Sequence, residues 1–179
     1  IVGNWKMNPL TAKEAEKLWQ AVAKNTPTLR KTSVVICPPA IYLEKLKKLS
    51  RKIIPGAQDA FWGGTGAFTG EVSSEMLHLS GARYVILGHS ERRARGETDG
   101  EVNKKIKSSL AAGLRPILCV GERERDEEHA YFNIVKDQLE AGLQGIIKNS
   151  IKNIIVAYEP VWAISSTPGR RDAAPEDSS

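Results

Sequence analysis

Lys6, His89 and Glu159 differ in chemistry, and each comes shortly after an apolar run typical of a β-strand. A carboxylate can accept a proton from carbon, an imidazole can polarise a carbonyl group, and an ammonium can hold an anionic substrate. In parallel α/β folds the functional groups lie on the loops that follow the carboxyl ends of the strands. We therefore expect the three side chains to converge, which predicts proton transfer next to the carbonyl group of a small anion.

Each of these residues also has an ordinary structural interpretation. Taken alone, Lys6 is a surface lysine and Glu159 is a solvated or salt-bridged carboxylate. His89, followed by Ser90, could simply cap the start of a helix. The same segment resembles a nucleophile elbow, G-x-S-x-G, but Arg92 stands where the second glycine is required. A nucleophilic serine is therefore not predicted.

The elements that position these residues alternate regularly along the chain. Short apolar runs are separated by stretches with helical spacing, and runs that are continuously apolar are typical of parallel strands covered on both faces. The runs are Ile1-Val2, Ser33–Cys37, Ile53–Gln58, Tyr84–Leu87, Pro116–Val120 and Ile154–Tyr158. Six alternations without a break in composition predict a single α/β domain.

The helical stretches carry their own start and stop signals. Thr11, with Glu14 three residues later, predicts a capping box at the first helix. Apolar residues then recur at helical spacing, at Ala15, Leu18, Trp19 and Val22. Gly113 and Gly142 are expected at helix ends or breaks.

Both an open doubly wound sheet and a (β/α)8 barrel begin with such an alternation. Neither a G-x-G-x-x-G fingerprint nor a Walker A loop follows the first apolar run, which removes the main support for a nucleotide-binding fold. From Ser165 the sequence changes to Ser, Pro, Gly, Arg and acidic residues without an apolar period. We predict β/α units over residues 1–164 and a loop-like or disordered tail over 165–179.

Composition narrows the classes of partner and compartment. Of the 179 residues, 41% are hydrophobic and 26% are charged, as in soluble globular domains. No apolar run approaches the ~18 residues of a membrane helix, and the start of the sequence has no secretory pattern. The net charge of +5 is partly held in two arginine clusters without interleaved aromatic residues, at 92–95 and 170–171. We expect a cytoplasmic protein with neither a membrane nor a nucleic acid as partner.

The two cysteines predict neither a disulfide nor a metal site. Cys37 and Cys119 each end an apolar run, and neither belongs to a C-x-x-C pair. This pattern is typical of buried, reduced thiols. The three histidines, His78, His89 and His129, show no ligand spacing with each other or with the cysteines.

Four collinear segments resemble the triosephosphate isomerase family, and together they place residues 1–164 within it. They are Gly3-Asn4-Trp5-Lys6-Met7-Asn8, Gly66-Ala67-Phe68-Thr69-Gly70-Glu71, Tyr84-Val85-Ile86-Leu87-Gly88-His89-Ser90-Glu91-Arg92-Arg93 and Ala157-Tyr158-Glu159-Pro160-Val161-Trp162-Ala163-Ile164. The resemblance implies a TIM (β/α)8 barrel, of which this chain holds about six β/α units. It also implies the interconversion of dihydroxyacetone phosphate and D-glyceraldehyde 3-phosphate through an enediolate, in glycolysis and gluconeogenesis.

The resemblance also implies the roles of individual residues. Glu159 would be the base that moves a proton between two adjacent carbons. His89 would be the neutral electrophile that polarises the carbonyl, a pairing that is itself the established description of this family. Lys6 would supply positive charge for the phosphate and the enediolate, and Asn4 would orient the substrate.

Further residues would support this set. The resemblance implies that Ser90, Glu91 and Glu122 surround the catalytic groups. It implies a homodimer, in which Thr69 reaches into the active site of the partner subunit. It implies neither a cofactor nor a metal. The only ligand is then a phosphorylated three-carbon substrate.

The sequence departs from the family pattern in two places. The lid normally continues with a glycine-rich tip, whereas Ile164 is followed here by Ser165-Ser166-Thr167-Pro168-Gly169-Arg170-Arg171. A (β/α)8 barrel typically takes about 250 residues, so we expect residues 165–179 to hold the remainder of the lid and a truncated sixth helix. Most of that helix, the seventh and eighth strands, and the phosphate site that follows these strands are then expected to be missing. Three explanations stay open: a longer polypeptide, a barrel completed by a second fragment or subunit, or a non-catalytic truncated homologue or assembly fragment.

Overall fold

A computed structural model describes residues 1–27, 31–125 and 131–164. Its centre is one sheet of six parallel strands whose spatial order follows the order of the sequence. The strands are β1 (Val2–Asn4), β2 (Val35–Cys37), β3 (Ile54–Ala57), β4 (Tyr84–Leu87), β5 (Arg115–Val120) and β6 (Ile155–Tyr158). All six predicted strands are confirmed, with bounds within two residues of the apolar runs. The sheet is curled and corresponds to six of the eight β/α units of a (β/α)8 barrel.

Helices connect the strands, because parallel neighbours need long crossover connections. They are α1 (Ala12–Asn25), α2 (Leu43–Leu46), α3 (Ser74–Leu79), α4 (Ser90–Arg93), α5 (Asp99–Ala111), α6 (Tyr131–Leu143) and α7 (Lys148–Ile151), with 3₁₀ turns at Ala40–Tyr42 and Val161–Ala163. In the described parts of the chain, none of these helices has the length and apolar character needed to cross a bilayer.

The first helix begins as its sequence predicts. The hydroxyl of Thr11 accepts the backbone N–H of Glu14 at 3.3 Å, and the carboxylate of Glu14 accepts the backbone N–H of Thr11 at 3.1 Å. Ala15 and Trp19 are fully buried, whereas Leu18 lies at the edge of the apolar stripe and is 42% exposed. The capping box is therefore confirmed.

Both glycines that were predicted at helix ends lie within two residues of one. Gly113 follows α5 in a turn with φ of 80°, a conformation that favours glycine. Gly142 is the penultimate residue of α6, so the helix ends within one residue of the predicted position. A side chain at Gly142 would meet Leu118 Cδ2 at 3.2 Å, so the glycine allows α6 to pack closely against β5.

The core has a layer on each face of the sheet. Between sheet and helices lie Leu43, Ala57, Ala60, Leu77, Ala82, Val85, Leu87, Val102, Ile106, Leu114, Leu118 and Val120. The concave face holds a second cluster, formed by Val35, Cys37, Tyr84, Ile86, Ile117 and Cys119. Both cysteines are free and buried, as predicted, and burial raises the pKa of the Cys37 thiol to about 12.

The two outer strands differ from the sequence expectation. Continuous apolar runs predict strands covered on both faces, but Val2 of β1 is 42% exposed and Val156 and Tyr158 of β6 are 49% and 41% exposed. Each of these strands pairs with only one neighbour within the described residues. The apolar composition of a strand shows only that the strand can be buried. Whether it is buried depends on the strands and helices that pack against it. The predicted tail, residues 165–179, lies outside the described residues.

Candidate active site

The sequence-predicted residues follow the carboxyl ends of four strands. Asn4 is the last residue of β1, His89 lies between β4 and α4, and Glu159 comes directly after β6. Glu122 follows β5 in the same way. Because the strands are parallel and pair in register, these ends meet at one rim of the sheet.

His89 and Glu159 meet at this rim. The distance from His89 Nε2 to Glu159 Oε1 is 3.7 Å. His89 is buried, and the carboxylate of Glu159 is 28% exposed. Glu159 Oε2 is buried and has no hydrogen-bond partner among the described residues. A carboxylate oxygen thus lies beside an imidazole and accepts no hydrogen bond from a described residue. Such an oxygen is suited to accept a proton from a small molecule.

The hydrogen bonding of His89 fixes its tautomer. Nδ1 accepts the backbone N–H of Glu91 at 3.2 Å. A nitrogen that accepts is unprotonated, so the ring proton of the neutral imidazole lies on Nε2, the atom that faces Glu159. Glu91 Oε2 lies 4.0 Å from Nδ1, but two acceptor atoms at that distance do not form an ion pair. His89 is therefore placed to donate toward the space beside Glu159.

Lys6 is held by its backbone and by its side chain. Its φ of 53° is the only positive value among non-glycine residues in the described chain. Such a conformation persists where surrounding contacts over-determine it. Here the backbone N–H donates to Asn4 Oδ1 at 2.9 Å, and the carbonyl oxygen accepts Gln58 Nε2 at 2.8 Å. Nζ reaches Glu91 Oε1 at 2.7 Å, which links the cation to the segment that carries His89.

Glu122 is fully buried and joins the ends of β5 and β6. Its carboxylate accepts Tyr158 Oη at 2.8 and 3.0 Å, Trp162 Nε1 at 2.8 Å and Arg125 Nε at 3.3 Å. Burial acts to raise the pKa of Glu122, but the donors, led by Trp162, outweigh it and leave the pKa below its ordinary value. The backbone carbonyl of Glu122 also accepts the N–H of Val161 at 2.9 Å. This residue therefore fixes the turn that follows Glu159.

Ser90 and Thr69 occupy different surroundings. Ser90 is the first residue of α4 and lines a cavity of about 730 Å³ that also touches Gly121 and Glu159. Lys6 and His89 do not line it, so the cavity adjoins the carboxylate from the side of α6. Thr69 lies in the exposed loop 64–72, and the structure does not bring it to the other predicted residues. The altered lid segment, 165–171, lies outside the described residues.

Two neighbours of the site escaped the sequence analysis. Gln58 follows β3, and its Nε2 donates to both Lys6 O and Cys37 O at 2.8 Å. The rule of strand ends could have found it, because it occupies the same position after β3 that Glu159 occupies after β6. Cys119 lies close to Glu159: burial, with an added contribution from this carboxylate, raises the pKa of its thiol. No sequence signal distinguishes it from an ordinary core cysteine.

Comparisons with known proteins identify the family of this chain. The sequence model of the family described as triosephosphate isomerase matches residues 1–177. The chain is 44% identical over 179 residues to triosephosphate isomerase of Alkaliphilus metalliredigens, covering 97% of this chain and 71% of the relative. It is 45% identical over 170 residues to that of Thermoanaerobacter pseudethanolicus, covering 93% and 68%.

A third relative lies at a similar distance. The triosephosphate isomerase of Lactobacillus delbrueckii subsp. bulgaricus is 42% identical over 173 residues, with 93% of this chain and 67% of the relative covered. The family match extends over all six β/α units. Fold, site and sequence relatives lead to one assignment: the chain belongs to the triosephosphate isomerase family.

Proposed function

We propose that this chain carries the isomerase chemistry of its family, the interconversion of dihydroxyacetone phosphate and D-glyceraldehyde 3-phosphate. The observation that supports it most directly is the 3.7 Å approach of His89 Nε2 to Glu159 Oε1. A base and a hydrogen-bond donor at this spacing can act on neighbouring atoms of one three-carbon substrate. The reaction moves a proton and changes no overall oxidation state, so these side chains suffice for it without a cofactor.

Glu159 is the proposed base. Its carboxylate takes a proton from the hydroxyl-bearing carbon next to the carbonyl of dihydroxyacetone phosphate. The electron pair of the broken C–H bond forms a carbon–carbon double bond, and the carbonyl oxygen takes up the negative charge. Return of the proton to the adjacent carbon, with transfer of a hydroxyl proton between the two oxygens, gives the aldehyde. The buried Oε2, unpaired within the described chain, is suited to hold the proton in transit.

His89 and Lys6 are the proposed stabilisers of the enediolate. Nε2–H of a neutral imidazole donates to the oxygen on which charge develops, and such donors act most strongly in a site shielded from water. The ammonium of Lys6 lies at the same rim and is oriented by Glu91. In the proposal it binds the phosphate and offsets the negative charge of the enediolate, while Asn4 orients the substrate.

Three further residues hold this set in place. Ser90 begins the short helix that His89 caps. Glu91 contributes a backbone N–H to the imidazole and a carboxylate to Lys6. Glu122 fixes the turn after the base through Val161 and Trp162. None of the three needs to touch the substrate to serve the reaction.

The proposal extends to assembly and to cellular role. The loop around Thr69 is exposed from residue 64 to residue 72, and Phe68 within it is 48% exposed. An exposed aromatic residue on an exposed loop is typical of a protein interface. We propose a homodimer through this loop, acting in glycolysis and gluconeogenesis in the cytoplasm.

A second candidate function is a non-catalytic scaffold or assembly fragment. The observation that favours it is the exposure of the outer strands, where Ile155 and Val156 of β6 are 36% and 49% exposed. The chain spans 71% and 68% of the first two relatives. In this case the 179-residue chain binds a piece that covers β1 and β6 and shows no turnover.

Substitution of the base separates the two functions. In a coupled assay that detects glyceraldehyde 3-phosphate, Glu159→Gln should lower kcat by about 10²–10⁴-fold, the usual contribution of a general base. Glu140→Gln, on the exposed surface of α6, is the matched control and should leave kcat unchanged. Equal turnover of Glu159→Gln and the unsubstituted chain would refute the mechanism. Absence of turnover in the unsubstituted chain would favour the scaffold.

A further inference from the structure

Charge is distributed unevenly between the two ends of the strands. The segments that lead into β2 to β6 contain ten basic residues, no acidic residue and no aromatic residue at their described positions, 24–27, 31–34, 47–53, 80–83, 112–115 and 144–154. Since the whole chain has 26 basic and 21 acidic residues, the remainder has more acidic than basic side chains. We call the surface formed by these segments the amino-end face.

The segments of the amino-end face lie together because the strands are parallel. Backbone hydrogen bonds join these segments to each other or to the start of the neighbouring strand: Arg115 N donates to Arg83 O at 2.8 Å, and Arg83 N donates to Pro55 O of β3 at 2.8 Å. Ile54 N donates in the same way to Val34 O at 2.9 Å. This face is at the opposite end of the strands from His89 and Glu159, about 13 Å or more away for strands of four residues.

Part of this positive charge serves the fold itself. Helices end here, and cations stabilise the carboxyl ends of helices. Lys52 Nζ donates to Thr26 O at 3.3 Å, at the end of α1, and Lys47 Nζ donates to Leu79 O at 3.1 Å, at the end of α3. Arg115 donates to the hydroxyl of Tyr84. These contacts account for a minority of the basic residues.

Six basic side chains on this face make no such contacts within the described chain. All six are exposed, and none makes a hydrogen bond or a salt bridge with a described residue. They are Lys24, Lys31, Lys48, Arg51, Lys148 and Lys152. They are spread over the approaches to β2, β3 and β6 instead of forming a line. Such an arrangement fits a broad, flat anionic surface.

We propose that the amino-end face binds an anionic lipid bilayer, which replaces the expectation of no membrane partner, since that expectation rested only on the lack of a run long enough to span a membrane. Lysine predominates, and a polybasic surface of this kind is attracted to anionic headgroups by about 1 kcal/mol for each basic residue close to the membrane. Exposed apolar residues stand among the cations: Leu79 is 71%, Ile147 73% and Ile151 43% exposed. Apolar side chains between lysines can enter the headgroup region of a bilayer.

A nucleic acid fits the same face less well. Proteins that bind single strands stack bases on aromatic side chains, and the described segments of this face contain none. Specific contacts to bases and phosphates favour the bidentate guanidinium, but two of the three arginines here, Arg83 and Arg115, already bond to Ala82 O and the hydroxyl of Tyr84. A phosphate backbone also offers no apolar surface against which the exposed isoleucines could pack. The lipid surface is the better match.

Vesicle flotation with the 179-residue chain tests this proposal. We expect binding to vesicles that contain phosphatidylserine, weak binding to pure phosphatidylcholine, and release at high ionic strength. The double variant Lys48→Gln, Arg51→Gln should bind the anionic vesicles about 30-fold less, the factor that corresponds to about 1 kcal/mol for each lost charge. Lys13→Gln, Lys17→Gln removes the same charge from α1 near the opposite end and should bind as the unsubstituted chain does.

Three results would overturn the proposal. Equal binding to anionic and uncharged vesicles would show that exposed apolar strands, not charge, cause adsorption. Equal losses in the two double variants would show that net charge alone matters. Tight binding to duplex DNA without binding to anionic vesicles would assign the face to nucleic acid. Thermal unfolding of both variants verifies that each is folded, and isomerase activity is not needed for any readout.

Discussion

The side-chain amide of Gln58 bridges two backbone carbonyls, donating to Lys6 O and to Cys37 O at 2.8 Å each. It thereby ties the segment after β1 to the end of β2 from its own position after β3. Lys6 has φ of 53°, and this bond is one of the contacts that hold such a backbone in place. The position of the Lys6 ammonium at the rim consequently depends on an amide that follows β3, two strands away.

Removal of this bridge should affect activity and stability together. Gln58→Ala leaves two carbonyl oxygens without their partner, which should lower the free energy of unfolding by about 1–3 kcal/mol. Lys6 is then freer to relax to negative φ, so kcat/KM should fall by about tenfold or more, since small displacements in a site are costly. Urea unfolding and the coupled isomerase assay measure the two effects.

Gln20→Ala is the matched control, because Gln20 is exposed on α1. It should change neither quantity. If the Gln58→Ala variant is less stable but keeps full kcat/KM, the bridge stabilises the fold and does not position Lys6 for the reaction.

Charge at Lys6 should matter far more for turnover than for stability. Its salt bridge to Glu91 is 2.7 Å long, but the two side chains are 33% and 44% exposed, and exposed pairs contribute about 0–1 kcal/mol. Lys6→Ala should therefore unfold at nearly the same urea concentration while kcat/KM falls by about 10²–10³-fold, as for loss of one stabilising group at a developing anion.

Lys13→Ala removes an exposed lysine from α1 and should retain full activity. A loss below tenfold in Lys6→Ala would remove Lys6 from the proposed reaction. Glu91→Gln completes the comparison: it keeps the backbone N–H that His89 accepts and removes only the anion beside Lys6.

Glu122 should make stability depend on pH in the acid range. Its donors hold the pKa of this carboxyl below the ordinary value. A group with a lowered folded-state pKa adds stability that is fully present above the unfolded value of about 4.3 for glutamate, and that is lost as the pH falls through the folded value. Unfolding in urea at a series of pH values should therefore show stability declining below about pH 5.

Glu122→Gln should reduce this dependence. The amide stays neutral throughout, so the variant is less stable than the unsubstituted chain at neutral pH by about 1–3 kcal/mol, and the two curves approach each other as the pH falls. Glu140→Gln, on an exposed surface, should leave the curve unchanged. Parallel curves for Glu122→Gln and the unsubstituted chain would mean that other carboxylates cause the acid response.

Much of this architecture can be predicted from the sequence. Continuous apolar runs located all six strands, because a parallel strand within a sheet has little contact with water on either face. Thr11 and Glu14 located the start of α1, because a capping box is a local hydrogen-bonding pattern. The positions of Lys6, His89 and Glu159 after apolar runs predicted that they lie at one rim, since parallel strands bring their carboxyl ends together.

Other features depend on contacts that no local pattern encodes. The positive φ of Lys6 needs acceptor and donor groups that arrive from β1 and β3. The proximity of Cys119 to Glu159 results from the pairing of β5 with β6. The exposure of β6 contradicts its apolar composition, because cover is supplied by neighbouring strands and not by the strand itself. The close packing of Gly142 against Leu118 is likewise a contact between elements that no local pattern encodes.

The loop around Thr69 should mediate dimer formation. Thr69 is exposed in loop 64–72, and the ring of Phe68 beside it packs on that of Phe61 with centroids 4.7 Å apart. A loop anchored in this way can fit a complementary surface of a second copy. Thr69→Arg places a long cation in the middle of such a contact and should raise the dimer dissociation constant by about 100-fold or more, as for an unpaired charge buried at an interface. Sedimentation equilibrium at micromolar concentration measures this constant.

Thr32→Arg makes the same change at an exposed position before β2 and should leave the dimer intact. A monomeric unsubstituted chain, or a Thr69→Arg variant that dimerises as tightly as Thr32→Arg, would contradict assembly through this loop.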